Sequence, residues 1–470
     1  MTISDFKAIH QILHKVIAGS RFEACSYYVG GCVRDTYLHR EINDINISVN
    51  MHGGGIALAT YITKVFDCYE EGRNPIIDID QGLAVFNIGK KYPALQHITI
   101  TSQMTCKEVY NEYSKVPRYV YSCINEDALR RDLTINAIYV KISDTSKYHF
   151  YLEQSHTDIE NKTIRAIGDP VEKFRNNPVD MLRTLRLAAE LGWGIEKNTW
   201  IALCKCASEI DFISGEAIQK ELNKILISDR ADETIRRMYH NDILAYLLPE
   251  LSTTYGIEQG KEHKHDVFEH SIEVMMNTKP KPINRMAGLL HDIGKIYTSR
   301  SGIFSNKGRF IGHENTGATL VKSMLDFLNY PKPFTDAVAT AVKLHMRFKG
   351  RQIPSRQAIR KFLAEAKKGN LDLCLDVIHA DNLSHAKKYC MPEQVGILKQ
   401  MIAKIEEKEQ ESKIKLPITG KDIMKEYNLP KGPKIGKALS LLKEHYCISP
   451  KMSRDEALSV VSDAIKRKQI

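Results

Sequence analysis

The sequence predicts an α+β chain in which a mixed head of helices and strands is followed by an all-helical neck, body and tail. Three observations lead there. Short apolar strand signals alternate with helical ones over roughly the first 145 residues. From about Ile167 the strand signals fade, and apolar residues recur three and four apart, as in Val179 to Glu190. The 470 residues are 43% hydrophobic and 26% charged, ordinary globular usage that excludes a disordered or fibrous chain. At about 150 residues per domain this length gives two to four domains.

Each element follows from a local pattern. Met1 to Ile17 has helical apolar spacing, Tyr27 to Val29 and Ile45 to Val49 read as short strands, and Leu83 to Ile88 and His97 to Thr101 continue the sheet. Pro280 and Pro282 punctuate a helix junction, and the charged stretch Lys404 to Lys415 reads as a solvated helix or linker before a last helical segment. There is no internal repeat and no low-complexity tract. No apolar run reaches the ~18 residues of a membrane span, and the first sixteen residues carry acidic and basic groups where a signal peptide is apolar. The expectation is a soluble, cytoplasmic protein with no membrane partner. Ten Cys are too sparse for a disulfide scaffold and read as reduced thiols. The net charge of +10 suits a polyanion such as RNA and suits a merely soluble surface equally well.

Two constellations carry chemistry. In the first, Gly30-Gly31-Cys32-Val33-Arg34-Asp35 follows a short apolar strand. Adjacent glycines let a backbone approach a phosphate, and Arg34 adds charge, although a Gly-Gly turn is often only structural. Asp44-Ile45-Asn46 then sets two oxygen-bearing side chains two apart, on one face of a strand, where they can share a hard cation. Arg130-Arg131-Asp132-Leu133-Thr134-Ile135-Asn136-Ala137 gathers basic and polar groups before an apolar strand. In the second, His270, His291-Asp292, His313, His345 and Asp381 spread imidazoles and carboxylates over several helices, the donor types of a transition-metal site.

The first set, together with Gly168-Asp169-Pro170 and Met181-Leu182-Arg183-Thr184-Leu185-Arg186, resembles in order the bacterial class II tRNA nucleotidyltransferases, the CCA-adding enzymes and their poly(A) polymerase relatives. The resemblance implies a polymerase-β-like nucleotidyltransferase head over residues 1–148, a helical neck over 149–250 and a template-independent polymerase. The head would bind Mg²⁺ and triphosphate, with Asp44 and Asn46 catalytic. Gly30, Gly31, Arg34, Arg130, Asp132, Asn136, Asn177, Asp180, Arg183 and Arg186 would bind nucleotide. The departures matter too. Where the family has two Asp, this chain has Asp44 and Asn46, and Thr99 aligns with a further family carboxylate, so Mg²⁺ binding is expected to weaken. Where the family reads the base with Glu-Asp and an Arg three further on, this chain has Asn176, Asn177 and Asp180. A donating Asn177 and an accepting Asp180 would suit G or U.

The second set resembles the HD superfamily of metal-dependent phosphohydrolases, expected over residues 251–388, with His270, His291, Asp292, His313, His345 and Asp381 as ligands. His263 and His265 are adjacent candidates for the first ligand, but the family pattern favours His270. A dinuclear Mn²⁺, Ni²⁺ or Co²⁺ centre is implied, with His291 and Asp292 catalytic: one metal lowers the pKa of a bound water to ~7 and the other holds phosphate. Lys295 is either a phosphate contact or a helix C-terminal lysine. A tail over 389–470 resembles that of HD-containing members, with Lys434 and Lys437 as RNA contacts or, more plainly, a helix hairpin with capping glycines.

The expected function is a tRNA-binding protein of this family, monomeric or homodimeric, whose HD centre hydrolyses a phosphoester while the head is degenerate or altered in base preference. The alternatives are a working tRNA nucleotidyltransferase, adding G or U from a nucleoside triphosphate, and a non-catalytic RNA-binding pseudoenzyme.

Overall fold

Ile45, Ile47 and Val49 alternate along one strand and are all buried, so a register slip of one residue would turn them to the wrong face. That strand lies at the heart of the head. The computed structural model describes residues 3–42, 44–65, 76–78, 83–86, 98–111, 114–300, 310–350, 353–413, 416–448 and 452–466. The head strands are β1 (Ser26–Val29), β2 (Ile45–Val49), β3 (Ile76–Asp78), β4 (Leu83–Phe86), β5 (Ile98–Ser102), β6 (Met104–Asn111), β7 (Ser114–Tyr121), β8 (Ile138–Lys141) and β9 (Asp144–Phe150). Seven form one sheet in the order β3-β4-β5-β2-β1-β8-β9, and β6 with β7 makes a separate hairpin. The β2–β5 pair is parallel and sets Asn46 opposite Thr99; the other pairs in the sheet are antiparallel.

The first helix, Ile3–Ile17, follows from Phe6, Ile9, Leu13 and Ile17, three and four apart and all buried. Gly168-Asp169-Pro170 proves to be a helix start. Gly168 has φ +76°, the Asp169 carboxylate accepts from the backbone N–H groups of Val171 and Glu172, and Pro170 opens the helix Pro170–Asn176. The next helix, Val179–Leu191, buries Met181, Leu182, Leu185 and Ala189 and stops at Gly192, φ +68°. These helices carry the neck against the head.

Several expectations change. The neck is not all helix, because Thr163–Ile164 and Gly194–Ile195 pair as short parallel strands. Asp44 lies one residue before β2 rather than within it. The charged stretch from Lys404 belongs to the helix Gln394–Lys413, with residues 414–415 outside the described set, as are Met1, Ile88 and His97. The β6–β7 hairpin and β9 carried no strand signal that was read. Among the described residues no helix is long and apolar enough to cross a membrane.

Head, neck and body share one contiguous hydrophobic core, from Phe6 to Ile405, while Ile418, Ile423, Ile435, Leu442 and Val461 form a separate core in the tail. The tail is therefore its own folding unit. Leu442→Ala is expected to cost about 2–5 kcal/mol of tail stability and to leave hydrogen-exchange protection of the helix Leu371–Ser384 unchanged.

Candidate functional site

The head cleft is built on the Gly30–Gly31 turn. Gly30 has φ +78°, a left-handed conformation that a side chain would strain. A Cβ there would lie 3.7 Å from Asn46 Nδ2 and 3.9 Å from Arg131 Nη1. At Gly31 it would lie 3.6 Å from Arg34 Nη2 and 4.0 Å from Asp44 Oδ1. The turn thus gathers Gly30, Gly31, Arg34, Asp44 and Asn46, with Thr99 beside Asn46 on the sheet. Asp35 Oδ2 also stands 3.9 Å from that Gly31 Cβ position, but both Asp35 oxygens accept from Arg34, which leaves Asp44 as the carboxylate this set offers a hard cation; Asn46 and Thr99 bring neutral groups. The residues fit one such ion and lack an anionic ligand for a second.

From this turn a chain of hydrogen bonds runs into the neck. Arg34 Nη1 donates to Asn136 Oδ1 at 2.7 Å, and Asn136 Nδ2 donates to Asp132 Oδ1 at 3.1 Å. Arg183 Nη1 donates to Asp132 Oδ2 at 3.1 Å and to Asp180 Oδ1 at 2.8 Å. Asn177 Nδ2 also donates to Asp180 Oδ1, at 3.0 Å. Asn177 therefore spends a donor inside the protein. Burial, together with nearby Asp132, pushes the Asp180 carboxyl up to about 7. Arg186 is committed elsewhere, to Glu221 and to Glu190. Arg130 donates to Asp127 at 3.0 Å, both on the helix Ile124–Arg130.

The second site is buried among body helices. His270 sits on Val267–Asn277, His291 caps the end of Pro282–Leu290, His313 opens His313–Phe327, His345 follows Lys332–Leu344, and Asp381 lies on Leu371–Ser384. All are buried, as is Asp292. Asp292 stands between two pairs of imidazoles. Its Oδ1 is 3.1 Å from His313 Nε2 and 3.5 Å from His345 Nε2, while Oδ2 is 3.1 Å from His291 Nε2 and 3.8 Å from His270 Nε2. Asp381 Oδ1 lies 3.1 Å from His270 Nε2 and 3.8 Å from His291 Nε2.

Backbone carbonyls decide which ring nitrogen faces inward. His291 Nδ1 reaches Gly288 O at 2.8 Å, His313 Nδ1 reaches Phe310 O at 2.6 Å, and His345 Nδ1 reaches Val342 O at 2.6 Å. A carbonyl only accepts, so each Nδ1 carries the proton and each Nε2 turns a lone pair into the site. His313 Nε2 and His345 Nε2 then face each other at 3.3 Å. Two lone pairs at that distance repel unless a cation stands near them. Burial lowers the His345 pKa to about 4, which keeps the ring in its neutral, ligating form. Ligand atoms of His270, His291 and Asp381, and of His291, Asp292 and His345, lie within 4.8 Å of one another. Donor type, burial and convergence fit two divalent transition metals.

Lys295 opens the short helix Lys295–Arg300 rather than ending one, so it is no C-terminal lysine; it is buried and donates to Asp292 and to Gln259 Oε1. His263 packs its ring on His270, with centroids 4.6 Å apart, and His265 is exposed beside Glu273. Lys434 and Lys437 are exposed on the tail helix Pro433–Ile448. The sequence reading missed Asp127, Tyr139, Gln259 and His385. The four-residue spacing of Asp127 and Arg131 was the one available signal.

Gly294 shows how tightly the second site is closed. A Cβ there would meet His313 O at 2.0 Å and Gly317 N at 2.6 Å. Gly294→Ala is expected to displace His313 and weaken Mn²⁺ or Co²⁺ binding by at least ~10-fold, measured by metal titration of the folded variant.

Comparison with known proteins follows the same division. Residues 26–165 match the poly A polymerase head domain, residues 192–254 the probable RNA and SrmB-binding site of polymerase A, and residues 267–386 the HD domain. The chain is 28% identical over 338 residues to a CC-adding tRNA nucleotidyltransferase of Thermus thermophilus, covering 68% of this chain and 73% of that one. It is 26% identical over 375 residues to an A-adding tRNA nucleotidyltransferase of Deinococcus radiodurans, covering 76% and 82%. The crystal structure of a Bacillus stearothermophilus CCA-adding enzyme in complex with CTP shares the fold at a TM-score of 0.55 and 19% identity, covering 99% and 98%. With its three domain matches in this order, the chain belongs to the bacterial CCA-adding enzyme and poly(A) polymerase family, in the form that carries an HD domain.

Proposed function

We propose that this protein adds nucleotides to the 3′ end of tRNA without a template, and that its HD centre hydrolyses a phosphoester. The observation that carries the first half is the unbroken path from the Gly30–Gly31 turn, beside Asp44, through Arg34, Asn136 and Asp132 to Arg183 and Asp180. It joins a triphosphate site to a base site. The expectation of G or U rests on Asn177 donating to a base. With one amide N–H given to Asp180, the groups left for a base are the second N–H and the Oδ1 of Asn177, the second Asp180 oxygen and the outer guanidinium N–H groups of Arg183. An acceptor beside a donor matches the amino and ring-nitrogen edges of C and A. Lys434 and Lys437 would add phosphate contacts along the tRNA.

In the HD centre, divalent metals such as Mn²⁺, Ni²⁺ or Co²⁺ would supply a water of lowered pKa and positive charge toward a phosphate. The protein's own part is to hold three imidazoles by their Nδ1 hydrogen bonds, to place Asp292 between the ligand pairs, and to keep the site dry. Lys295 is positioned to follow a phosphate oxygen when Asp292 is engaged by metal. A second reading, in which the head has lost nucleotide addition and the HD centre acts alone, is favoured by Asn46 and Thr99 standing together where anionic ligands are wanted.

Incubation with Mg²⁺, tRNA lacking its 3′ end and each labelled NTP separates these readings. Extension with CTP or ATP, reduced at least ~100-fold in Asp44→Ala, is the expected result; extension with GTP or UTP would restore the Asn177 argument, and none with any NTP would leave the second reading. For the HD centre, hydrolysis of a 2′,3′-cyclic nucleotide with Mn²⁺, Ni²⁺ or Co²⁺ should disappear in Asp292→Ala while tRNA extension persists. Hydrolysis at an unchanged rate in that variant excludes the HD assignment.

A further inference from the structure

His270 differs from the other three imidazoles around Asp292 in how its ring is held. His291, His313 and His345 stand at helix ends, where a backbone carbonyl reaches each Nδ1. His270 lies inside the helix Val267–Asn277, whose carbonyls are spent on the helix's own N–H groups. Its Nδ1 is buried and finds no hydrogen-bond partner among the described residues. Two other rings pack against it instead, His263 with centroids 4.6 Å apart and His385 at 5.8 Å with the ring planes at 74°. Each of those rings also has one buried, unpartnered nitrogen among the described residues, Nδ1 of His263 and Nε2 of His385.

Of these two neighbours only His385 has its proton placed. Its Nδ1 donates to the Asp381 backbone carbonyl at 2.7 Å, one turn back on the helix Leu371–Ser384, so in the neutral ring Nε2 carries a lone pair and can only accept. A His270 that gives its Nε2 lone pair to a metal has an N–H at Nδ1, which can only donate. A buried donor and a buried acceptor thus lie on adjacent rings, each without another partner among the described residues. A ring-to-ring hydrogen bond of about 3 Å sets centroids about 5 Å apart, so a small turn of either ring joins them. We infer that His385 is the positioning residue for the His270 side of the metal centre: its Nε2 accepts the His270 Nδ1 proton and commits His270 Nε2 to metal, as a carbonyl does for the other three rings. This rests on the reading of the body as a metal centre. His385 is itself pinned, since the Ala386 N–H donates to Glu262 O at 2.8 Å and His263 and His385 pair as a β-bridge. Its Nδ1 also lies 3.6 Å from Asp381 Oδ1, so one ring borders two of the three groups, His270, His291 and Asp381, whose ligand atoms converge.

The test is a Co²⁺ titration of full-length protein, followed by the d–d absorption of the metal and by the proton NMR spectrum of the cobalt form in H₂O. The wild type is expected to bind two Co²⁺ in the body and to show one paramagnetically shifted, exchangeable N–H signal for each of the four imidazoles around Asp292. The residues gathered at the head cleft include no imidazole, so these signals belong to the body. His385→Phe keeps a ring and removes the acceptor. It should bind one of the two Co²⁺ at least ~10-fold more weakly, leave the other unchanged, and lose one of the four N–H signals to exchange with water. His385→Gln returns an acceptor oxygen and should recover part of the affinity, whereas His263→Phe should keep both ions and all four signals. Thermal midpoints of the metal-free variants report that each folds, and a merely structural role would weaken both ions alike. Unchanged binding with four signals in folded His385→Phe, equal weakening of both ions, no recovery in folded His385→Gln, or loss of the signal in His263→Phe overturns the inference and leaves the body a metal centre. Absence of Co²⁺ binding and of the shifted signals in the wild type overturns both.

Discussion

Arg183 holds two carboxylates from two parts of the molecule, Asp132 of the head and Asp180 of the neck, and the geometry of the nucleotide cleft depends on that bridge. Burial works against all three charges. For Asp132 the pairing with Arg183 outweighs burial and holds the carboxyl below its usual range, whereas for Asp180 burial wins. One guanidinium cannot fully compensate two acids. The arrangement survives because Asn136, Leu133 and Asn177 supply further hydrogen bonds to the same carboxylates. A buried pair of this kind contributes little net stability but fixes one relative placement of the elements that carry it.

The same logic governs the body. Asp292 is placed among four imidazoles and a lysine, a cluster that makes sense only as a whole. Its geometry is set by backbone: helix ends present Gly288, Phe310 and Val342 carbonyls to the Nδ1 atoms, and Gly294 lets the turn after Asp292 approach the start of the His313 helix. The protein's own backbone holds these rings, which lessens the reorganisation that metal binding requires. Head and body thus differ in kind. The body presents its ligands in two overlapping groups, and the head sets neutral Asn46 and Thr99 beside Asp44.

Much of this was legible in the residues. Alternation gave β2 and helical spacing gave Ile3–Ile17 and Val179–Leu191, because a single buried face leaves a periodic trace. The donor residues of the body are visible as His and Asp motifs, and Thr99, aligned in the sequence with a family carboxylate, lies in register with Asn46 on the sheet. The β6–β7 hairpin, β9 and the small neck strands were not, since their pairing depends on partners far along the chain or on too few residues to show a period.

What the sequence determined by itself was therefore identity of donors: which carboxylates are present, which have become amides, and which imidazoles recur in family order. Only the tertiary structure decided how they are spent. Asn177 and Arg186 read as nucleotide contacts from the sequence, and the fold sets one Asn177 N–H on Asp180 and the Arg186 guanidinium between Glu190 and Glu221. Arg131 reads as one more basic residue until it is found donating to Asp127 and Tyr139. A hydrogen-bonding group offers its donors to whichever acceptor is nearest in space, and nearness in space is a property of the fold.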